Sequence, residues 1–443
     1  MTGRRRTARP SPFTAAASAA LCTAAAASLL TGCGVLPGDA GGSGEPLKVM
    51  TWAPVGTKAT NMPGMPAMAV AFGRALNADG GLDGRKIEVV TCNEHNTPTG
   101  AANCARRAVD DHVVAVVGSY SQHGRAFMAP LEAAGIPFIG GFGVSSEEFQ
   151  STLSYPVNGG QPVLLAGTGR QLAHQCDKVS LVRPDTLPGD TMPILLNAGL
   201  KSGSREEVSD ILAAEDATDY SAQALEALED AGADPRLPAR IGTEAARAKA
   251  AKGCVTAVLG DRTETFFDSF RRVETEDQKV RISSVLGSVS QGLVNRTGGK
   301  DGPFEGAYVT SWYPVSSDPL WAPMRKVIAE RAFDDDRIDP DDVGVQTTWI
   351  AYTVFAEVVK SLGDQEITPG KIANALDKSD GIKTGGLTPD LSWRYQDMRA
   401  VGGFPRIVNG RVHFQQVQQG RLVTEGEGAM DMTRTLELAP AMN

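Results

Sequence analysis

Short apolar runs alternate with segments of helical periodicity along most of the chain, and this alternation restricts the fold more than any other feature. The runs are LKVMTW, IEVVTC, VVAVVG, PFIGG, VSLVRP, EEVSDIL, VTAVLG, ISSVLG and GAYVTSW. Amphipathic segments such as GMPAMAVAFGRALNADG and YSAQALEALEDAGA lie between them. Strands buried on both faces and separated by helices are typical of parallel sheets, so the sequence predicts an α/β fold.

The order of these runs predicts two lobes instead of one large sheet. VVAVVG, a helix and GIPFIGG are similar to VTAVLG, a helix and RISSVLG, which gives the chain a coarse internal symmetry. Each lobe would be a Rossmann-like open sheet with ligand-binding loops at the carboxyl ends of its strands. We therefore predict a ligand cleft between the lobes. One later helix has apolar residues at four-residue steps, and we interpret this stripe as core: Ile350, Val354, Val358 and Leu362.

The first 32 residues have the organisation of a secretory signal. Four arginines precede an uncharged, alanine-rich run that extends from Phe13 to Leu30. The sequence LTGC at its end resembles the lipobox of bacterial lipoproteins, in which the cysteine is diacylated and the preceding bond is cleaved. We predict a signal peptide over 1–32, an acylated Cys33, and a Gly/Pro/Ser-rich tether over 33–46. A membrane anchor with an incidental cysteine is the alternative.

Charge restricts the partners of the mature chain. Removal of residues 1–32, which carry four arginines and no acidic residue, takes the formal net charge from −9 to −13. An acidic chain without a basic cluster argues against nucleic acid, whose binding depends on Lys and Arg contacts to phosphate. Two acyl chains suffice for stable membrane attachment. The predicted location is therefore the outer face of the cell membrane, with the folded body outside the cytoplasm.

Four cysteines remain after processing and acylation, and an even number in an exported protein predicts disulfides. Of the three possible pairings we predict Cys92 with Cys104, which closes a short loop between a strand and the next helix. We also predict Cys176 with Cys254, because these residues precede two similar strands by similar offsets. Neither CxxC nor HxxxH occurs in the sequence, so no metal site is predicted.

The loop GSYSQHG follows a predicted strand and opens a helix. Backbone N–H groups at a helix N-terminus, together with the hydroxyls of Ser119 and Ser121, predict a site for a carboxylate. Tyr120 and Gln122 lie in the same loop. In the alternative interpretation, one serine only caps the helix.

The loop GGFGVSSEEF follows the next predicted strand. Gly141 and Gly143 would let a ligand approach the backbone, and Ser145 or Ser146 would cap the following helix. The third glycine of G-x-G-x-x-G is replaced by Ser146, so no dinucleotide cofactor is predicted. G-x-S-x-G is missing as well, so the sequence predicts no enzyme and no cofactor.

The order of these motifs resembles the leucine/isoleucine/valine-binding family of type I periplasmic solute-binding proteins. DATDYSAQALEALEDAGAD and GPFEGAYVTSWYP extend the resemblance over 47–425. It implies two Rossmann-like lobes joined by three crossovers, with lobe 1 at 47–155 and 290–400 and lobe 2 at 156–289 and 401–443. By the same resemblance, Ser119 to Gln122 would bind a carboxylate, and Gly141 to Ser145, with Phe142, would form the second ligand loop.

Two departures from the family pattern bear on the ligand. The aromatic residue after the first strand of lobe 2 is replaced by Leu187 and Pro188, and the acidic residue that pairs with an ammonium is replaced by Ser288 and Val289. A buried ammonium without a counter-charge is strongly disfavoured. We therefore expect either that Asp185 supplies the missing negative charge or that the solute is flatter or more apolar than an amino acid. Five aromatic residues would then either line the cleft or belong to the core: Trp52, Tyr120, Phe142, Trp312 and Tyr313.

The predicted function is a lipid-anchored, monomeric receptor that binds an amino-acid-like or carboxylate-bearing solute and delivers it to an ABC permease and its ATPase. A ligand-sensing lipoprotein on the same fold, which signals to a membrane partner, is the first alternative. An exported hydrolase is the second, and it would require a Ser-His-Asp arrangement around His123.

Overall fold

The computed structural model describes residues 45–233, 253–275, 279–285, 287–399 and 401–439. The predicted signal peptide, Cys33 and nearly all of the tether lie outside these residues. The strands in chain order are β1 (Leu47–Ala53), β2 (Ile87–Asn93), β3 (Ala115–Val117), β4 (Phe138–Ile139), β5 (Ser154–Tyr155), β6 (Lys178–Pro184), β7 (Ser209–Ala213), β8 (Gly253–Ala257), β9 (Arg281–Val285), β10 (Tyr308–Ser311), β11 (Arg411–Gln418) and β12 (Arg421–Asp431).

Helices alternate with most of these strands, as the sequence predicts. They are α1 (Gly64–Ala78), α2 (Pro98–Asp110), α3 (Gly124–Ala134), α4 (Gly160–Ala173), α5 (Leu187–Asp190), α6 (Met192–Ser202), α7 (Ser221–Asp230), α8 (Thr263–Val273), α9 (Gln291–Arg296), α10 (Ala322–Arg331), α11 (Val343–Leu362), α12 (Pro369–Lys378) and α13 (Thr433–Glu437).

The strands form two sheets, which confirms the predicted two-lobed α/β architecture. The first sheet is parallel, in the order β2-β1-β3-β4-β5, and the second has the order β12-β11-β10-β9-β8-β6-β7. Over the described residues, the pairs β10–β11 and β11–β12 of the second sheet are antiparallel and its other pairs are parallel. Helices α10, α11 and α12 return to the first lobe, where α10 and α11 pack against α1 and α12 packs against α11.

The lobe boundary predicted at residue 290 is wrong for β10. That boundary assigns Tyr308–Ser311 to lobe 1, whereas the strand pairs with β9 and β11 in the second sheet. All four residues of β10 are buried, because the strand lies inside the sheet. The chain therefore leaves lobe 2 after β10.

Three chain crossings join the lobes, and side-chain amides tie them together. Asn158, in the first crossing, donates from Nδ2 to the hydroxyl of Tyr313 in the second, at 3.1 Å. Asn409, in the third, donates to the carbonyl oxygen of Val157 in the first, also at 3.1 Å. Both asparagines are buried, so these bonds satisfy polar groups that would otherwise destabilise the hinge.

Both predicted disulfides are confirmed. Cys92 at the end of β2 is bonded to Cys104 in α2, and Cys176 before β6 is bonded to Cys254 in β8. The second bridge forms because β6 and β8 are adjacent parallel strands, with Val179 opposite Cys254.

The core stripe predicted on α11 is largely confirmed. Ile350, Val354 and Val358 are buried, and Leu362 at the end of the helix is half-buried. Within the described ranges, no helix combines the length and the apolar character that a membrane crossing requires. Over the same ranges, no three His, Cys, Asp or Glu side chains come together as metal ligands.

Candidate ligand-binding cleft

A cleft of about 100 Å³, partly open to solvent, lies between the lobes where the loops at the carboxyl ends of both sheets meet. Clefts at this position, between two lobes and at the ends of parallel strands, are the usual sites for small molecules. Its lining is Thr60, Met62, Tyr120, Gln122, Phe142, Val144, Gln161, Leu164, Leu165, Pro184, Thr186, Pro188, Met192, Glu215, Val258, Leu259, Gly260, Val285, Gly287, Ser288 and Trp312.

Three aromatic rings form a continuous wall of the cleft. Phe142 contacts Tyr120 and Trp312 edge to face, with ring centroids 5.1 Å and 5.2 Å apart. The indole N–H of Trp312 donates to the carbonyl oxygen of Gly160 at 2.9 Å, which fixes the ring. The wall thus combines apolar area with a defined geometry, as aromatic pairs in binding sites commonly do.

Glu215 is the only carboxyl group among the described residues that line the cleft, and no Lys, Arg or His accompanies it there. Partial burial raises the pKa of this side chain, whereas a hydrogen bond from Gln122 lowers it. Gln122 belongs to lobe 1 and Glu215 to lobe 2, so this bond crosses the cleft. Gln122 also donates from Nε2 to Oδ1 of Asn96 at 2.8 Å.

The two serines predicted to bind a carboxylate face the protein instead of the cleft. The backbone N–H of Trp52 donates to Oγ of Ser119 at 3.1 Å. Oγ of Ser121 donates to Oε2 of Glu94 and accepts from the backbone N–H of His123, both at 3.1 Å. Both serines are buried and neither is among the lining residues. Of this loop, only Tyr120 and Gln122 line the cleft.

The second predicted loop also has an internal partner. Glu148, in the short 3-10 helix Ser146–Phe149, accepts hydrogen bonds from the backbone N–H groups of Gly143, Val144 and Ser145 at 2.9 to 3.1 Å. It also accepts from the Ser145 hydroxyl at 3.0 Å. Burial raises the pKa of Glu148 to about 7, and these bonds oppose the rise. Gly141, Gly143 and Ser145 therefore build the loop but do not line the cleft.

Two further predicted site residues lie away from the cleft. Trp52 is fully buried between Phe127 and Phe138 in the first lobe, so it is a core residue. Asp185 is exposed beside β6 and is not among the lining residues. Leu187 is 82% exposed, whereas its neighbour Pro188 does line the cleft. Of the predicted residues, the structure brings together Tyr120, Gln122, Phe142, Ser288 and Trp312.

The polar residue that sequence reasoning missed is Glu215. Its signal is its position two residues after β7, at the carboxyl edge of the second sheet, where ligand loops of parallel sheets occur. Val258 and Leu259, directly after β8, carry the same signal, as does Thr60 in the loop after β1.

Contacts between the lobes close one end of the cleft. The backbone N–H of Asn61 in lobe 1 donates to Oδ2 of Asp261 in lobe 2 at 3.0 Å. The guanidinium of Arg262 donates to the carbonyl oxygen of Lys58. The lobes therefore contact each other through polar groups beside the cleft.

The hydrogen-bond chain of a hydrolase is not formed around His123. The Ser121 hydroxyl interacts with the backbone N–H of His123 and with Glu94, not with the imidazole. Nε2 of His123 is buried and has no hydrogen-bond partner among the described residues, and burial lowers the pKa of the ring.

Two lobes joined by three crossings, with a cleft lined from both sides, define a solute-binding protein of the type I architecture. A family model described as a periplasmic binding protein matches residues 53–405. The chain belongs to this family, whose members are extracytoplasmic and bind small solutes for ABC transporters. No curated protein matches the sequence.

Solved structures with this fold share little sequence with the chain. A fatty acid ABC transporter substrate-binding protein from Thermomonospora curvata has a TM-score of 0.68 at 15% identity, over 90% of this chain and 95% of that chain. A leucine-binding protein from Thermotoga maritima has 0.63 at 15%, over 87% and 99%. A solute-binding protein from Rhodopseudomonas palustris in complex with 3,4-dihydroxybenzoic acid has 0.65 at 14%, over 87% and 97%.

Proposed function

We propose that this protein is the lipid-anchored receptor of an ABC importer and that it binds a small organic solute with a largely apolar or aromatic body. The observation that carries the proposal is the aromatic wall of Tyr120, Phe142 and Trp312, which faces apolar residues of lobe 2 across the cleft. Burial of apolar surface supplies about 25 cal/mol per Å², so such a lining favours an apolar solute. The structural neighbours named for a fatty acid, leucine and a dihydroxybenzoic acid support this choice.

A thermal-shift screen of the purified protein tests the proposal. The panel contains leucine, phenylalanine, benzoate, hexanoate, phenethylamine and glucose, so that apolar bodies are compared with a polar solute of similar size. A ligand at a hundredfold excess over Kd stabilises the native state by about 2.7 kcal/mol, which is measurable as a rise in Tm. A response to glucose alone, or to no organic solute in a wider panel, would contradict the proposal.

Phe142→Leu is the variant matched to this screen. Leucine keeps an apolar side chain at the site but removes the edge-to-face contacts with Tyr120 and Trp312. We expect weaker binding of aromatic solutes, because aromatic pairs contribute about 0.5 to 1.5 kcal/mol beyond their buried area. Phe333→Leu, at an exposed position outside the cleft, is the control and should bind like the wild type.

Membrane attachment through Cys33 is part of the same proposal. It rests on the LTGC sequence and on the uncharged run before it. Mass spectrometry of the protein from membrane fractions should show an N-terminal Cys33 that carries a diacylglyceryl group. A mature protein that retains Met1 would refute the attachment while leaving the solute proposal intact.

A further inference from the structure

Several backbone donors that border the cleft are occupied by the protein itself. Glu148 fills the group of N–H donors at 143–145 with its own carboxyl group. The start of α4 is satisfied as well, because the N–H of Gly160 donates to Asn158 and that of Gln161 donates to the carbonyl oxygen of Gly143. Pro162 follows and has no N–H. These positions offer nothing to a ligand carboxylate.

The side-chain nitrogen donors of Trp312 and Gln161 are engaged as well, whereas the neutral hydroxyl groups of Thr60, Thr186 and Ser288 line the cleft. The Trp312 indole donates to Gly160, and the Gln161 amide donates to the carbonyl oxygen of Pro188 at 2.8 Å. The Ser121 hydroxyl, the strongest carboxylate-binding candidate in the sequence, donates to Glu94. A carboxylate that entered this cleft would lose its hydration beside the carboxyl group of Glu215, with no cationic side chain among the described lining residues to offset the cost.

The charge of the cleft favours a cationic group of the ligand instead of a carboxylate. Glu215 offers acceptor oxygens to a ligand. Burial raises the pKa of Tyr120 in the aromatic wall, and the negative charge of Glu215 adds to the rise. Aromatic faces attract cations through their quadrupoles. With no basic side chain among the described lining residues, the unmatched charge of the site is negative.

We infer that the cleft selects a hydrophobic amine: a solute with an apolar or aromatic body whose ammonium group is bound by Glu215 and which carries no free carboxylate. This inference rests on the proposed function of the cleft as the solute site. It assigns to Glu215 a specificity-determining role, and it excludes ordinary α-amino acids from the preferred ligands.

Three probes with one common body test the inference by calorimetry at pH 7.5: phenethylamine, phenethyl alcohol and phenylacetate. We expect the amine to bind at least tenfold more tightly than the alcohol or the acid, because a hydrogen bond to a charged partner contributes about that factor. Glu215→Gln should reduce the affinity for the amine by tenfold or more and change that for the alcohol little. Asp185→Asn, which removes an exposed carboxylate outside the cleft, is the matched control and should leave both unchanged.

Equal or tighter binding of phenylacetate would overturn the inference, as would an affinity for the amine that is unchanged in Glu215→Gln. Melting curves of the ligand-free variants show whether the substitution leaves the fold intact. If Glu215→Gln does not fold, the ranking of the three probes on the wild type still decides. If none of the three binds, the solute found in the wider screen decides, since a carboxylic acid overturns the inference but preserves the proposed function. Binding of no solute at all would instead overturn the proposed function.

Discussion

Replacement of Ser121 by alanine separates a structural role from a ligand-binding one. The hydroxyl donates to Oε2 of Glu94 and accepts from the backbone N–H of His123, and it lies outside the cleft. A hydrogen bond to a charged group contributes about 1.5 to 3 kcal/mol, and one between neutral groups about 0.5 to 1.5 kcal/mol. We therefore expect Ser121→Ala to reduce the free energy of unfolding and to leave the solute affinity unchanged.

The size of this loss should depend on pH through Glu94. Burial raises the pKa of Glu94 to about 7, and the bond from Ser121 lowers it. Removal of that bond raises the pKa further, so the variant loses the stronger, charge-assisted bond only where Glu94 is ionised. The expected loss is about 1.5 to 3 kcal/mol at pH 8.5 and about 0.5 to 1.5 kcal/mol at pH 5.5.

Urea unfolding at the two pH values measures the loss, and calorimetry with the solute from the screen measures affinity. Glu215→Gln is the comparison in the binding assay, because its side chain lines the cleft whereas that of Ser121 does not. A tenfold fall in the affinity of Ser121→Ala, with stability unchanged at both pH values, would refute this account and return the hydroxyl to the ligand site.

Three further perturbations test the fold, the closure of the lobes and the buried acids. Alanine replacement of Cys176 and Cys254, which are 78 residues apart, should lower the free energy of unfolding in urea by about 4 to 5 kcal/mol. Replacement of Cys92 and Cys104, which are 12 residues apart, should lower it by about 3 kcal/mol, because a shorter closed loop restricts the unfolded chain less. The reverse order would contradict this dependence on loop length. Asp261→Ala removes the side chain that accepts a hydrogen bond from Asn61 across the two lobes. Calorimetry should therefore show roughly tenfold weaker solute binding, with the Tm of the ligand-free protein nearly constant. Unchanged affinity would show that this hydrogen bond does not favour closure of the lobes. Burial raises the pKa values of Glu94 and Glu148 from 4.5 to about 7, so near neutral pH the native state holds protons that the unfolded state has lost. The free energy of unfolding should therefore fall by about 1 to 2 kcal/mol between pH 6.5 and 8.5. A rise over this range would contradict the raised pKa values of the two buried acids.

The fold was predictable because its central strands are buried on both faces and so have short apolar sequences. The antiparallel hairpin of β11 and β12 escaped prediction for the opposite reason. Its strand RVHFQQVQ has polar residues on alternate positions, and its two-residue turn uses Gln419, a non-glycine residue with a φ of 55°. The boundary error at β10 has a related cause, because the sequence does not indicate at which strand a chain leaves one sheet for the other.

The candidate site was predictable only as far as its loops. Strand ends correctly indicated the regions that contain Tyr120 and Phe142, since the carboxyl ends of parallel strands carry ligand loops. The direction of each side chain within a loop depends on its partners, and these are distant or unexpected in the sequence. Ser121 faces inward because Glu94, 27 residues earlier, accepts its hydroxyl.

Two buried carboxyl groups, those of Glu94 and Glu148, hold the lobe 1 loops that carry Tyr120 and Phe142. Each buried carboxyl group holds a loop that carries a cleft residue, Glu94 through Ser121 beside Tyr120 and Glu148 through the backbone beside Phe142. These bonds form on folding, so the wall is ordered before a solute arrives and binding does not bear that entropy. In our proposal, selectivity for the polar end of the solute then depends on lobe 2, which contributes Glu215 to the cleft.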